Sequence, residues 1–182
     1  MRSKGLIGVF GLLVILLLVL GVAYAHWSDS ISINGTVETG TMSMGFTGEY
    51  TCVEEEPKDK EVAGFTVEFT GSYTDPKTGK SGYTKMTITI TNAYPCYKLT
   101  CTCKVSNTGT IPIDVLDPVI TAPDEVDVSV WYEDLEGNVL STPFQADTCS
   151  SWILKVVVHV TQYAGENASY TFEVTLPYEQ WG

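Results

Sequence analysis

Histidine is nearly missing from this chain of 182 residues, which has only His26 and His159. A zinc peptidase of the helix-borne kind needs His-Glu-x-x-His so that two imidazoles share one helical face, and neither histidine begins such a motif. The chain also lacks a Gly-x-Ser-x-Gly elbow and a phosphate-cradling glycine loop, the common signatures of serine hydrolases and nucleotide-binding enzymes. Positive charge is scarce: 10 Lys and Arg face 22 Asp and Glu, for a formal net charge of −12. Such a field repels nucleic acid and anionic lipid, so neither is an expected partner. Beyond residue 25 no stretch shows a 3.6-residue apolar period, which excludes a helical bundle.

One long apolar run is present, and it stands at the start. Arg2 and Lys4 precede an uncharged stretch from Gly5 to Ala25 that closes on Ala23-Tyr24-Ala25, with small residues at the two positions a signal peptidase reads. Residues 1–25 are expected to be a signal peptide that exports the chain. The run exceeds the ~7–15 residues of an ordinary signal core and approaches the ~20 of a membrane span, so retention as an anchor is the alternative. Membrane contact is expected before cleavage, or afterwards if the segment is kept. Cleavage removes two of the ten basic residues and no acid, leaving 8 against 22 and a formal charge of −14.

The acids gather in three groups: Glu54, Glu55, Glu56, Asp59 and Glu61; Asp114, Asp117, Asp124, Glu125 and Asp127; Glu133, Asp134 and Glu136. Solvated loops account for them, and the second group is also a candidate calcium set, since hard carboxylate oxygens on exported loops suit that ion. No Asp-x-Asp-x-Asp-Gly loop marks a particular site, and no cofactor is required by any motif. Five cysteines, Cys52, Cys96, Cys101, Cys103 and Cys149, in an exported chain imply disulfides. Cys101 and Cys103 share one strand face and are too closely spaced for a zinc half-site. Two bridges are expected, each joining one of them to Cys52, Cys96 or Cys149. The odd cysteine is left buried or paired between subunits.

Period-two alternation dominates the exported region. Ala63 to Phe69, Met86 to Ile90, Leu99 to Val105, Ile111 to Val115, Val126 to Tyr132, Trp152 to Thr161 and Tyr170 to Leu176 read as strands. Turn signals separate them at Asp75-Pro76-Lys77-Thr78-Gly79, Asn107-Thr108-Gly109, Glu136-Gly137-Asn138 and Gly165-Glu166-Asn167. The expected fold is all-β, a sandwich of two antiparallel sheets over residues 42–182. Residues 26–41 hold one further alternating stretch, 28–38, with Ile31, Ile33 and Val37 on one face and Ser30, Ser32, Asn34, Thr36 and Glu38 on the other. A strand this near a terminus can close its own sandwich or add to a neighbour's sheet edge.

Three stretches carry a family resemblance: His26-Trp27-Ser28-Asp29-Ser30 with Gly35 to Met42; Asn92-Ala93-Tyr94-Pro95-Cys96-Tyr97 leading to Asn107-Thr108-Gly109-Thr110-Ile111-Pro112; and Phe172 to Trp181. Together they resemble the TasA and camelysin-like proteins, biofilm-fibre subunits processed by a SipW-type signal peptidase, with related archaeal bundling pili and threads. The resemblance implies a jelly-roll-like sandwich at the cell surface whose N-terminal donor strand enters the next subunit to build a homopolymeric filament, which can bundle laterally. Biofilm matrix, adhesion or cell-cell contact would be its role. The five cysteines depart from most bacterial members.

Camelysin-like proteins have carried a metallopeptidase label, but His159 in Val156-Val157-Val158-His159-Val160 reads as a surface residue of a strand, and no enzymatic role is expected. Trp131, Tyr132, Trp152, Tyr170, Phe172, Tyr178 and Trp181 could instead make a glycan platform, the alternative function, with extracellular glycans as partners. Most suit a core. Trp27 and Trp181 lie at the two ends and are expected at a subunit junction. Asn34-Gly35-Thr36 and Asn167-Ala168-Ser169 are glycosylation sequons, the second in a turn.

Overall fold

A computed structural model describes residues 3–25, 33–55 and 63–181. They fall into two compact units, residues 1–38 and 39–182. The first holds helix α1 (Ser3–Ala25). Leu6, Ile7, Phe10 and Leu17 on it are all exposed, so the helix is apolar around its circumference. Its side chains are described from Gly5 to Leu20; among the described residues no helix is long and apolar enough to cross a membrane. Residues 33–43 form no strand. The strand expected over 28–38 is therefore unformed from 33 onward, because a lone extended segment has no ladder to satisfy its backbone groups. Trp27 and Ile31 lie outside the described residues.

The second unit is all-β and sandwich-like. Its strands are β1 (Met44–Glu55), β2 (Gly64–Thr74), β3 (Ser81–Ala93), β4 (Lys98–Asn107), β5 (Ile113–Val115), β6 (Val119–Thr121), β7 (Val126–Glu133), β8 (Val139–Leu140), β9 (Phe144–Ala146), β10 (Ser151–Val160), β11 (Ala168–Thr175) and β12 (Tyr178–Gln180). Nine of them form one antiparallel sheet in the order β6-β11-β3-β1-β4-β10-β7-β8, with β2 on the other flank of β3. The sheet curls over itself. Cys103 of β4 meets Met86 of β3, Sγ to Sδ at 3.3 Å, and the rings of Tyr50 on β1 and Phe69 on β2 lie 5.7 Å apart. One layer is thus β2-β3-β11-β6 and the other β1-β4-β10-β7-β8, with β4 over β3 and β1 over β2. A small sheet, β12-β5-β9, stands apart.

Alternation decides which side chains fill the space between layers. Leu99, Cys101, Cys103 and Val105 of β4 pair in register with Val158, Val156, Leu154 and Trp152 of β10, and all eight are buried. Met86, Ile88 and Ile90 of β3 face them, beside Phe172 and Val174 of β11. Each such apolar side chain contributes about 1.5–3 kcal/mol on burial, and a one-residue slip would turn the whole row to solvent. On the outer face, Lys98–Glu55, Lys85–Glu173 and Lys104–Glu49 form ion pairs at 2.9, 2.9 and 3.2 Å. Exposed pairs of this kind are worth about 0–1 kcal/mol each.

The sequence reading omits β1. Gly45 and Gly48 interrupt its alternation, and the register against β4 shifts between Phe46 and Tyr50, with Gly48 at φ +87°. A bulge of this kind bends the strand: β1 pairs with β4 on both sides of it, but touches β3 only before it, at Phe46↔Tyr83.

Candidate assembly site

The segment between α1 and β1 is anchored where it meets the sandwich. Thr41 donates its N–H to Thr110 Oγ1 at 2.8 Å, and Thr110 N–H donates back to Thr41 O at 2.9 Å. Two residues on, Ser43 O accepts from the N–H groups of Thr108 and Gly109 at 2.8 and 3.1 Å. Gly109 is required by this approach: a Cβ there would stand 2.4 Å from Thr41 O and 2.8 Å from Ser43 N, both backbone. The Gly40-Thr41-Met42 and Asn107-Thr108-Gly109-Thr110 stretches, separate in sequence, are therefore two halves of one contact. Asn107, fully buried, completes it by donating to Ile111 O and Ala146 O and accepting from Gly109 N–H.

Asp75, at the start of the β2–β3 turn and only 2% exposed, ties this root to the hairpin. Its carboxylate accepts from Thr78 N–H at 2.8 Å, Lys77 N–H at 2.9 Å and Ser43 Oγ at 2.9 Å. The Thr78 amide above all, helped by Thr41, Ser43 and the Lys77 amide, holds its titration well below the ordinary carboxylate range against the opposing effect of burial. Thr108 Oγ1 bonds Ser43 Oγ at 2.9 Å and Tyr73 OH at 3.0 Å, while Thr78 Oγ1 donates to Thr108 O at 2.6 Å. Lys77 Nζ also donates to Thr39 O. A serine donating to a carboxylate with no imidazole in the cluster is arranged for holding rather than for nucleophilic attack. In the sequence Asp75 to Gly79 and Asn107 to Gly109 read as turns, the second also as part of a resembling stretch, and neither as part of a contact. The available signal was a clustering of small hydroxyl residues with an acid in two turns.

Beyond this root, Ile33 and Val37 are each 89% exposed, and Asn34 beside them is exposed too. Trp181 follows β12 and is 52% exposed. Meanwhile the sandwich has unequal edges. Among the described residues β2 pairs with β3 alone, and β1 from Tyr50 to Glu55 pairs with β4 alone. Phe65, Val67 and Phe69 of β2 face the core yet are only half-buried, and the Phe69 ring lies against Tyr50 of β1. At the end of that β1 edge Tyr97 OH donates to Glu54 Oε1 at 2.6 Å.

The cysteines differ from expectation. One bridge is present, Cys52–Cys101, joining directly paired residues of β1 and β4 whose Cα atoms are 4.1 Å apart. The expected second bridge is not formed: Cys103 is a free thiol in the core against Met86, while Cys96 and Cys149 are free and exposed. The physical reason is position. Cys96 N–H bonds Val160 O at the end of the β4–β10 pair where β4 begins, and Cys149 precedes Ser151, which pairs Ser106 at the opposite end. Neither reaches Cys103 in the interior, where burial pushes the thiol up to about 12.

The proposed calcium residues are spread over several elements. Asp114 lies on β5 opposite Glu179, Asp117 accepts from the Thr142 hydroxyl, Asp124 and Glu125 precede β7, and Asp127 faces His159 across β7–β10. Among the described residues no three His, Cys, Asp or Glu side chains gather as a metal set. Of the aromatics, Tyr132, Trp152 and Phe172 are buried in the core, and Phe144 packs edge-on against the first two. Trp131 is half-buried on the outer face and donates to Glu133. Asn167 is exposed at φ +59° in the turn before β11, a position a glycan can reach. No family model, curated protein or solved structure matches the chain.

Proposed function

We propose that the protein is the structural subunit of an extracellular filament, assembled when the N-terminal segment of one copy adds as a strand to the sandwich of the next. The observation that carries this reading is the state of the alternating stretch 28–38 from residue 33 onward: followed by a root at Thr41 and Ser43, it forms no strand there and leaves Ile33 and Val37 89% exposed. Apolar side chains at strand spacing are costly in water and are relieved by pairing with a partner edge. Export, supported by the apolar α1 and by the Cys52–Cys101 bridge, delivers the subunit to an oxidising exterior. Trp181 and Trp27 are then available at the junction, and a filament of acidic subunits bundles when its charge is screened.

Burying each isoleucine of the segment contributes about 1.5–3 kcal/mol before ordering costs. Deletion of residues 26–39, or an Ile31→Asp, Ile33→Asp pair, is expected to abolish filaments seen by electron microscopy while the protomer still melts cooperatively. Normal filaments from either variant would overturn the proposal.

A further inference from the structure

The acceptor of the exchanged strand can be located, because the edges of the sandwich are not equivalent. Natural sheets blunt an open edge with short strands, lysine, proline or charge, since unpaired N–H and C=O groups invite association. Strands β6, β8, β9 and β12 have two or three residues each. The open half of β1 ends on Glu54 and Glu55. Strand β2 is the least protected: Gly64-Phe65-Thr66-Val67-Glu68-Phe69-Thr70-Gly71-Ser72-Tyr73-Thr74 is 11 residues long, without lysine or proline, and its one charge, Glu68, stands on the exposed face. Its core-facing row, Phe65, Val67 and Phe69, stays half-buried at the mouth of the sandwich. A long open edge with a half-buried apolar row on its core face invites a covering strand.

Resting on the filament reading above, we infer that the outer edge of β2 is the acceptor, and that its occupant is residues 28–38 of a second copy of this chain. The lengths agree, since 28–38 is also 11 residues, about 36 Å of strand at ~3.3 Å per residue. The patterns agree as well. With its backbone paired to β2, the segment adds Ile31, Ile33 and Val37 to the row of Phe65, Val67 and Phe69, covering its half-buried side beside Tyr50. Its other face, Ser32, Asn34 and Thr36, continues the exposed Thr66, Glu68 and Thr70. The Cys52–Cys101 bridge holds the opposite wall of this mouth by fastening β1 to β4.

The test is photo-crosslinking in filaments assembled from an equal mixture of unlabelled and nitrogen-15-labelled full-length chains, each carrying benzoylphenylalanine in place of the exposed Thr66. The expected product joins position 66 to a peptide within 28–38, about half of it of mixed isotopic composition. Adducts of a single isotopic composition would mean the chain covers its own edge and would overturn the inference. Filaments that depend on residues 26–39 but crosslink elsewhere would overturn the β2 assignment while sparing the filament reading. Filaments indifferent to residues 26–39 would overturn both.

Discussion

Asp75 ties its own hairpin turn to Ser43 through one carboxylate, so its ionisation is linked to the integrity of the arm root. Its folded titration lies below the ordinary value of 3.8, and a group depressed in this way stabilises the fold above its unfolded value and loses that contribution as pH falls toward the folded one. Asp75→Asn is expected to melt below the wild type at pH 6, and the gap should narrow progressively as pH falls below about 4; a gap constant with pH would contradict the linkage. Gly109→Ala pushes a methyl into the backbone of Thr41 and Ser43, and overpacking of this kind costs about 1–3 kcal/mol. Limited proteolysis should then cut within 39–43 faster than in the wild type. The thiols give a third expectation. Iodoacetamide should alkylate Cys96 and Cys149 in the native protein, and Cys103 only after denaturation, because burial keeps its thiol protonated.

Among the elements, β1 carries the most unequal duties. It pairs with β4 on both sides of the Gly48 bulge, touches β3 at Phe46↔Tyr83, fills the core with Met44 and Phe46, and beyond the bulge becomes an edge. Cys52–Cys101 secures that edge half and closes a loop of 49 residues in sequence separation. A paired Cys52→Ala, Cys101→Ala change should lower unfolding free energy by about 2–4 kcal/mol in a denaturant titration. By contrast β4 and β10 are inner strands whose side chains interlock; Leu154→Ala should cost about 2–5 kcal/mol through the cavity it leaves.

For the whole molecule, charge would govern how the proposed filaments approach one another. With 22 acids and few cations, copies repel at low ionic strength, and the Debye length shrinks from about 30 Å at 0.01 M to about 8 Å at 0.15 M. Lateral bundling, followed by light scattering, should rise over that interval. If acidic loops on neighbouring filaments share calcium, bundling should rise further with calcium than with sodium chloride at matched ionic strength. Equal bundling in the two salts would reduce the effect to screening.

The sequence by itself determined the all-β class, the identity of most strands and the inward face of each, because a period of two assigns alternate side chains to opposite sides of a sheet whatever its neighbours are. Leu99, Cys101, Cys103 and Val105 were legible in this way, as was the exposed histidine of β10. Tertiary structure alone decided the partners. Which cysteine meets Cys101 depends on β1 lying beside β4, and Gly45 and Gly48 hid that strand from the alternation. The root cluster was equally illegible, since Ser43, Asp75 and Thr108 are distant in sequence and look like ordinary turn residues until the curl of the sheet brings them within hydrogen-bonding distance. The open edge of β2 follows from strand order, which local patterning does not encode: pairing is settled by the free energy of the complete sandwich, not by any one strand.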